Sequence, residues 1–108
     1  MDTITFEDFK KIEIRMGKII SCEKVENADK LLKLQVDFGD FQRQIVSGIA
    51  ESFSPEELVG KKLPFIVNLE YRKFKGEESQ GMLMAIDAEE KTVLLESSED
   101  VKEGTLVV

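Results

Sequence analysis

Residues 12–40 read IEIRMGKIISCEKVENADKLLKLQVDFGD. Leu32, Leu34, Val36 and Phe38 alternate with Lys33, Gln35 and Asp37. Successive side chains of a strand point to opposite faces, so this spacing predicts a half-buried strand with its apolar row inward. Upstream, Ile12–Val25 predicts a longer strand with Ile12, Ile14 and Met16 sharing one face. Gly17 interrupts that alternation, which predicts a bulge or a sharp bend. Glu26-Asn27-Ala28-Asp29 reads as the turn between the two strands, and Gly39-Asp40 turns the chain into a third, about Gln42–Gly48.

On the N-terminal side, Thr5 and Asp8 form a helix-capping pair, and Phe6, Phe9 and Ile12 recur at helical spacing. They predict a short helix at about 5–11. On the C-terminal side, Ser54-Pro55-Glu56-Glu57 has a capping serine, a proline suited to the first helical position and two acids at the positive end of the helix dipole. Gly60 ends that helix. Leu63, Phe65, Val67 and Leu69 predict strand four, with Pro64 near its start or on an edge. Strand five is read at Gly81–Ile86, where Met82, Met84 and Ile86 alternate as core filling. Two weaker strands follow at Thr92–Glu96 and Thr105–Val108. Three strands, a short helix and two strands, with a bent glycine-containing first strand, match an all-β, five-stranded Greek-key barrel of the OB type. The N-terminal helix and the C-terminal strands are additions to it. A chain of 108 residues is one domain by length, with the barrel at about 12–86 and an extension at 87–108.

Composition narrows the function. A chain 42% hydrophobic and 34% charged folds on its own. It has no apolar run near the roughly 20 residues of a membrane span. The first residues include Asp2, Glu7, Asp8, Lys10 and Lys11, which is no signal-peptide core. Cys22 is the only cysteine, so no intrachain disulfide forms, and a reducing, cytoplasmic setting is expected. There is no histidine, which removes the usual triads and most zinc sites. No pair of carboxylates stands out as an acid–base couple. The chain reads as a non-enzyme without metal or cofactor.

Asn68–Met84, NLEYRKFKGEESQGMLM, carries the strongest chemical signal. Arg72, Lys73 and Lys75 are interleaved with Tyr71 and Phe74 on a glycine-punctuated segment of an otherwise acidic chain. Cations meet phosphates and rings stack on bases, so the run suits a flexible, single-stranded polyanion. Taken alone, it is better suited to a solvated hairpin tip whose charges keep a sheet edge soluble. The net charge of −7 does not decide between them, because it is unevenly distributed. Residues 87–108 hold Lys91 and Lys102 against seven acids, while residues 1–86 are nearly balanced. A distant acidic segment is screened over a Debye length of roughly 8 Å. In an OB barrel, ligands lie on the face of strands two and three between the loops joining strands one to two and four to five. Those loops are Val25–Lys30 and Glu70–Gln80 here.

The runs FEDFKKIEIRMGKI, ADKLLKLQVDFG, RQIVSGIA, PEELVGKK and NLEYRKFKGEESQGMLM together resemble the tRNA-binding OB domain family. That family includes stand-alone dimeric tRNA-binding proteins, C-terminal domains of methionyl-tRNA synthetases and separate beta subunits of such enzymes. The resemblance implies a tRNA-binding surface of Asn27, Lys30, Lys33, Arg43, Asn68, Arg72, Lys73, Lys75, Ser79 and Gln80, with Met82 at its margin or in the core. It also implies a homodimer formed through the terminal additions, and a methionyl-tRNA synthetase chain as a further partner. Glu70-Tyr71 replaces a Lys-Pro frequent in the family, and Glu26-Asn27 replaces a Pro-Gly. The first change exchanges a cation for an anion but adds a stacking face. A second reading is a dimeric protein-interaction or chaperone-like OB protein, since the apolar Leu106-Val107-Val108 must pack somewhere. The chaperone-like branch lacks the RQIVSGIA and SQGM wording present here.

Overall fold

The computed structural model describes residues 1–108. Its elements in order are α1 (Phe6–Lys10), β1 (Ile14–Val25), β2 (Ala28–Asp37), β3 (Gln42–Ser47), α2 (Pro55–Leu58), β4 (Lys62–Ile66), β5 (Arg72–Phe74), β6 (Glu77–Ser79), β7 (Met82–Leu83), β8 (Ala85–Ala88), β9 (Lys91–Leu94) and β10 (Leu106–Val107). β1 pairs antiparallel with β2, β4 and β10, and the main sheet runs β3-β2-β1-β4-β7. β5 and β6 form a separate ribbon, as do β8 and β9. The five-strand path is the OB-type barrel expected from the order of strands and helix.

The strands curl around Ile19, Leu32, Leu34, Val36, Phe38, Ile45, Leu63 and Phe65, and α2 closes one end with Leu58. Each such side chain contributes about 1.5–3 kcal/mol relative to exposure. The α2 start is built as the sequence predicts. The Glu57 carboxylate accepts from the Ser54 N–H at 3.1 Å, and at the far end the Gly60 N–H donates to the Ile19 carbonyl at 2.8 Å. Thr5 caps α1 by accepting from the Asp8 N–H at 3.1 Å.

The first half of β1 is covered on both faces, which its alternation alone does not reveal. Gly17 and Ile19 face the core, whereas Ile14 and Met16 face outward and are buried by the C-terminal residues. Met16, Pro64 and Met84 sit under Leu95, Val101 and Leu106 around a cavity of about 400 Å³. Lys62 clamps this cover. Its ammonium reaches Asp100 at 2.9 Å, Glu103 at 3.2 Å and the Val101 carbonyl at 2.7 Å. The hydrogen bond that Lys62 donates to Asp100 holds the Lys62 pKa above the ordinary lysine value, and the same bond holds Asp100 below the usual carboxylate range.

Several expectations are corrected. Of the bulge or bend expected at Gly17, the bulge lies elsewhere: the Gly17 register with β4 is unbroken, and the irregularities against β2 lie between Ile19 and Ser21 and between Lys24 and Val25. Glycine is required at 17 because the Phe38 ring and a Val36 methyl lie 2.5 Å from where a Cβ would stand. Ile12 does not share the burial of Ile14, because it precedes β1 and is 41% exposed. β4 ends at Ile66, so Leu69 lies past the sheet and is exposed. The predicted fifth strand divides into β7 and β8: Met84 stays in register with β4 and donates to the Pro64 carbonyl at 3.0 Å, but Pro64 has no N–H to return, and from Ala85 the chain pairs with β9 instead. Met82 is not core filling: Leu83 takes the inward position of β7 and Met82 is 47% exposed.

The last seam of the barrel lies between β3 and the segment entering β7, and side chains close it. The Gln80 N–H donates to the Gln44 carbonyl at 2.7 Å, and the Gln80 Oε1 accepts from the Gln44 N–H at 3.0 Å. One glutamine thus supplies both halves of a ladder step. The Ser79 hydroxyl, buried at 3% exposure, accepts from the Val46 N–H at 3.0 Å and donates to the Gly81 carbonyl at 2.8 Å. No helix is long and apolar enough to cross a membrane.

Gly17→Ala is expected to cost about 1–3 kcal/mol by overpacking Phe38, read as a lower urea midpoint with an unchanged slope. Ser79→Ala strands two backbone groups in a dry seam and is expected to cost about 1–3 kcal/mol. Ser98→Ala on the exposed C-terminal segment, with a change within about 0.5 kcal/mol, is the control.

Candidate nucleic-acid interface

The basic run forms an arm. β5 and β6 pair with Arg72 opposite Ser79, Lys73 opposite Glu78 and Phe74 opposite Glu77. Lys75 and Gly76 make the two-residue turn, both with positive φ (52° and 81°). Such a turn matches the twist of a hairpin, and glycine adopts it without strain. The Arg72 guanidinium lies 4.9 Å from the Phe74 ring centroid, which stiffens both side chains.

The arm tip faces the turn between β1 and β2. That turn is tighter than expected: Asn27 alone carries the left-handed backbone (φ 61°), and Ala28 and Asp29 already belong to β2. Asparagine tolerates this conformation better than most residues. Between the two turns lies an open cleft of about 610 Å³ lined by Asn27, Lys30, Lys73, Phe74 and Lys75, among others. Residues far apart in sequence therefore place cations and one ring around a single groove. Lys30, Arg72, Lys73 and Lys75 are exposed and make no internal ion pair.

The other candidate residues are engaged inside the molecule. Lys33 reaches Glu23 at 2.9 Å and Glu77 at 3.2 Å, and these hydrogen bonds, Glu23 first, raise its pKa above the ordinary lysine value. Its charge is therefore already answered. Arg43 donates from Nη1 to the carbonyls of Val67 (2.9 Å) and Gln80 (3.0 Å), pinning the end of β4 to the seam. Asn68 ties the α1 segment to the barrel by accepting from the Glu13 N–H at 2.8 Å and donating to the Lys11 carbonyl. Ser79 and Gln80 form the seam itself. These five shape the surface on which the free cations stand.

Gln44 is the residue that sequence reasoning overlooked. Its Nε2 donates to the Glu78 carbonyl at 2.8 Å, and its Oε1 accepts from Gln35 at 3.0 Å. Gln35, Gln44, Glu78 and Gln80 thereby form a polar chain running from β2 to the arm. Outward glutamines facing each other on strands two and three were the available signal.

Two other features bear on chemistry. Burial, with help from Glu56 and Glu23, pushes the Cys22 thiol up to about 11, so it stays protonated at neutral pH. No group of three or more His, Cys, Asp or Glu side chains is placed to hold a metal ion. Away from the arm, Phe6, Phe9, Ile12, Leu106, Val107 and Val108 are exposed and line an apolar groove of about 580 Å³.

Residues 14–106 match the family described as "Putative tRNA binding domain". The methionine–tRNA ligase of Archaeoglobus fulgidus is 49% identical over 106 residues, covering 98% of this chain and 16% of that protein. The methionine–tRNA ligase of Methanocorpusculum labreanum is 50% identical over 106 residues, with the same coverage. The chain spans about a sixth of the length of these curated relatives. The solved structure of a MetRS related protein from Pyrococcus horikoshii superposes with a TM-score of 0.94 at 43% identity, both chains being fully covered. The chaperone CsaA of Bacillus anthracis shares the fold, with a TM-score of 0.89 at 24% identity over 99% of this chain and 100% of that one. By family match, by similarity along its whole length and by fold, this chain belongs to the tRNA-binding domain family.

Proposed function

We propose that residues 1–108 act as one tRNA-binding unit whose contacts are made by Asn27, Lys30, Arg72, Lys73 and Lys75, with Lys33, Arg43, Asn68, Ser79 and Gln80 positioning them. The observation that carries this is the cleft between the arm and the β1–β2 turn, where cations from both loops converge. Phosphates supply most of the affinity in such a groove, and the shape of the RNA is read more than its sequence. The protein does no chemistry itself. It raises the tRNA affinity of a methionyl-tRNA synthetase chain, as a stand-alone or beta-subunit-like partner in the cytoplasm, by tethering.

The apolar groove of Phe6, Phe9, Ile12, Leu106, Val107 and Val108 supports a two-fold homodimer. The same surface is what a protein-interaction or chaperone-like reading would use. The two readings part in solution, because a dimer hides the groove and a monomer offers it to unfolded chains.

Neutralising about four phosphates predicts a log–log salt slope near −3 for tRNA binding. Arg72→Ala with Lys73→Ala is expected to weaken unrelated tRNAs alike and to flatten that slope by about 1.4. A salt-independent affinity, or an unaltered slope in the double variant, removes the arm from the interface. In sedimentation, the wild-type protein is expected to run as a dimer, and Phe9→Glu with Val107→Glu as a folded monomer. A wild-type monomer that captures unfolded polypeptide and ignores tRNA would favour the chaperone-like reading.

A further inference from the structure

A series of planar groups runs from the core of the barrel to the base of the arm. Phe38, 2% exposed, stacks on Phe41 at a centroid distance of 5.2 Å and an interplanar angle of 22°. The Arg43 guanidinium carbon lies 4.9 Å from the Phe41 centroid and 5.7 Å from the Tyr71 centroid. Arg43 cannot drift, because two backbone carbonyls hold its Nη1. Tyr71 is the last member, and half of its surface is exposed. The series thus ends in a ring with a rigid cationic backing and an open side, immediately before Arg72.

We propose that Tyr71 is a stacking platform for one unpaired base of the bound RNA, with Arg43 and Phe41 fixing its position. The proposal rests on the tRNA-binding reading above and names the part of the RNA that reaches this end of the groove. A ring anchored from behind loses little conformational freedom when a base stacks on it. The cation behind it reinforces the stack. Arg72, next in the chain, is exposed and makes no ion pair, and on this proposal it meets the phosphate that flanks such a base. A base inside a duplex already has both faces covered, so the partner is unpaired. Glu70, exposed on the other side of Tyr71, disfavours a second phosphate and leaves stacking as the main contact there.

Tyr71 is the only tyrosine and the chain has no tryptophan, so its emission reports on this position alone. In a titration of the full chain with bulk tRNA, corrected for absorption with N-acetyltyrosinamide, the emission is expected to quench with the midpoint of a parallel filter-binding assay. Tyr71→Ala is expected to weaken tRNA and a short single-stranded RNA about 5- to 150-fold. The salt slope should not change, since no cation is lost. A duplex of the same length should bind as before, and Tyr71→Phe should keep wild-type affinity. Salt-dependent tRNA binding with unchanged tyrosine emission would overturn the platform and leave the tRNA-binding reading standing. So would an equal loss for duplex and single strand, which would make Tyr71 a prop for the arm. Absence of any tRNA binding by the wild-type protein would overturn both. The emission experiment and Tyr71→Phe hold even if Tyr71→Ala folds poorly.

Discussion

The structure depends on closing a barrel whose last two neighbours share no backbone ladder. β3 pairs with β2 on one side, while the outward N–H groups of Gln44 and Val46 on its other side would be orphaned in a partly dry seam. A buried unpaired amide costs about 1–3 kcal/mol. Ser79 and Gln80 answer both with their side chains. This solution leaves the backbone of residues 72–79 free to form a separate ribbon. The arm can project from the barrel because its two C-terminal residues do the work of a strand.

That arrangement explains which parts of the molecule were legible in the sequence. The alternation of Leu32, Leu34, Val36 and Phe38 survives intact because β2 faces solvent on one side and core on the other. The starts of both helices survive because capping is local chemistry. The role of Gly17 was hidden because its constraint comes from Phe38 and Val36, on another strand. Leu69 and Met82 were assigned inward by periodicity alone, which cannot show where a ladder ends. At the candidate site, the exposed cations Arg72, Lys73 and Lys75 were legible from charge pattern. The internal bonds of Lys33, Arg43 and Asn68 were not, since Glu77, Val67 and Lys11 reach them only through the fold.

The uneven charge of the chain also acquires a structural sense. Acids of the C-terminal segment are committed to the lysines flanking the start of β4: Glu96 meets Lys61, and Asp100 and Glu103 meet Lys62. They hold down the cover over Met16 and Pro64. Near the arm, Glu77 is committed to Lys33, and the cleft itself is lined by Lys30, Lys73 and Lys75 against one acid, Asp29. A protein with a net charge of −7 therefore keeps a cationic groove. Exposed pairs of this kind add little stability individually, and their value here lies in where they leave charge unanswered.

The seam carries one more consequence. The arm that faces the groove and the stitch that shuts the barrel are consecutive residues, joined through Glu78, Gln80 and Gln44. In the proposed RNA-binding mode, occupancy of the groove and integrity of the fold are then thermodynamically linked. RNA at 100 times its dissociation constant stabilises a one-site folded protein by about 2.7 kcal/mol. Because linkage is reciprocal, a loosened seam would lower RNA affinity in the proposed binding mode even with every proposed phosphate contact kept. Melting temperature with and without RNA becomes a measure of how firmly the barrel is shut.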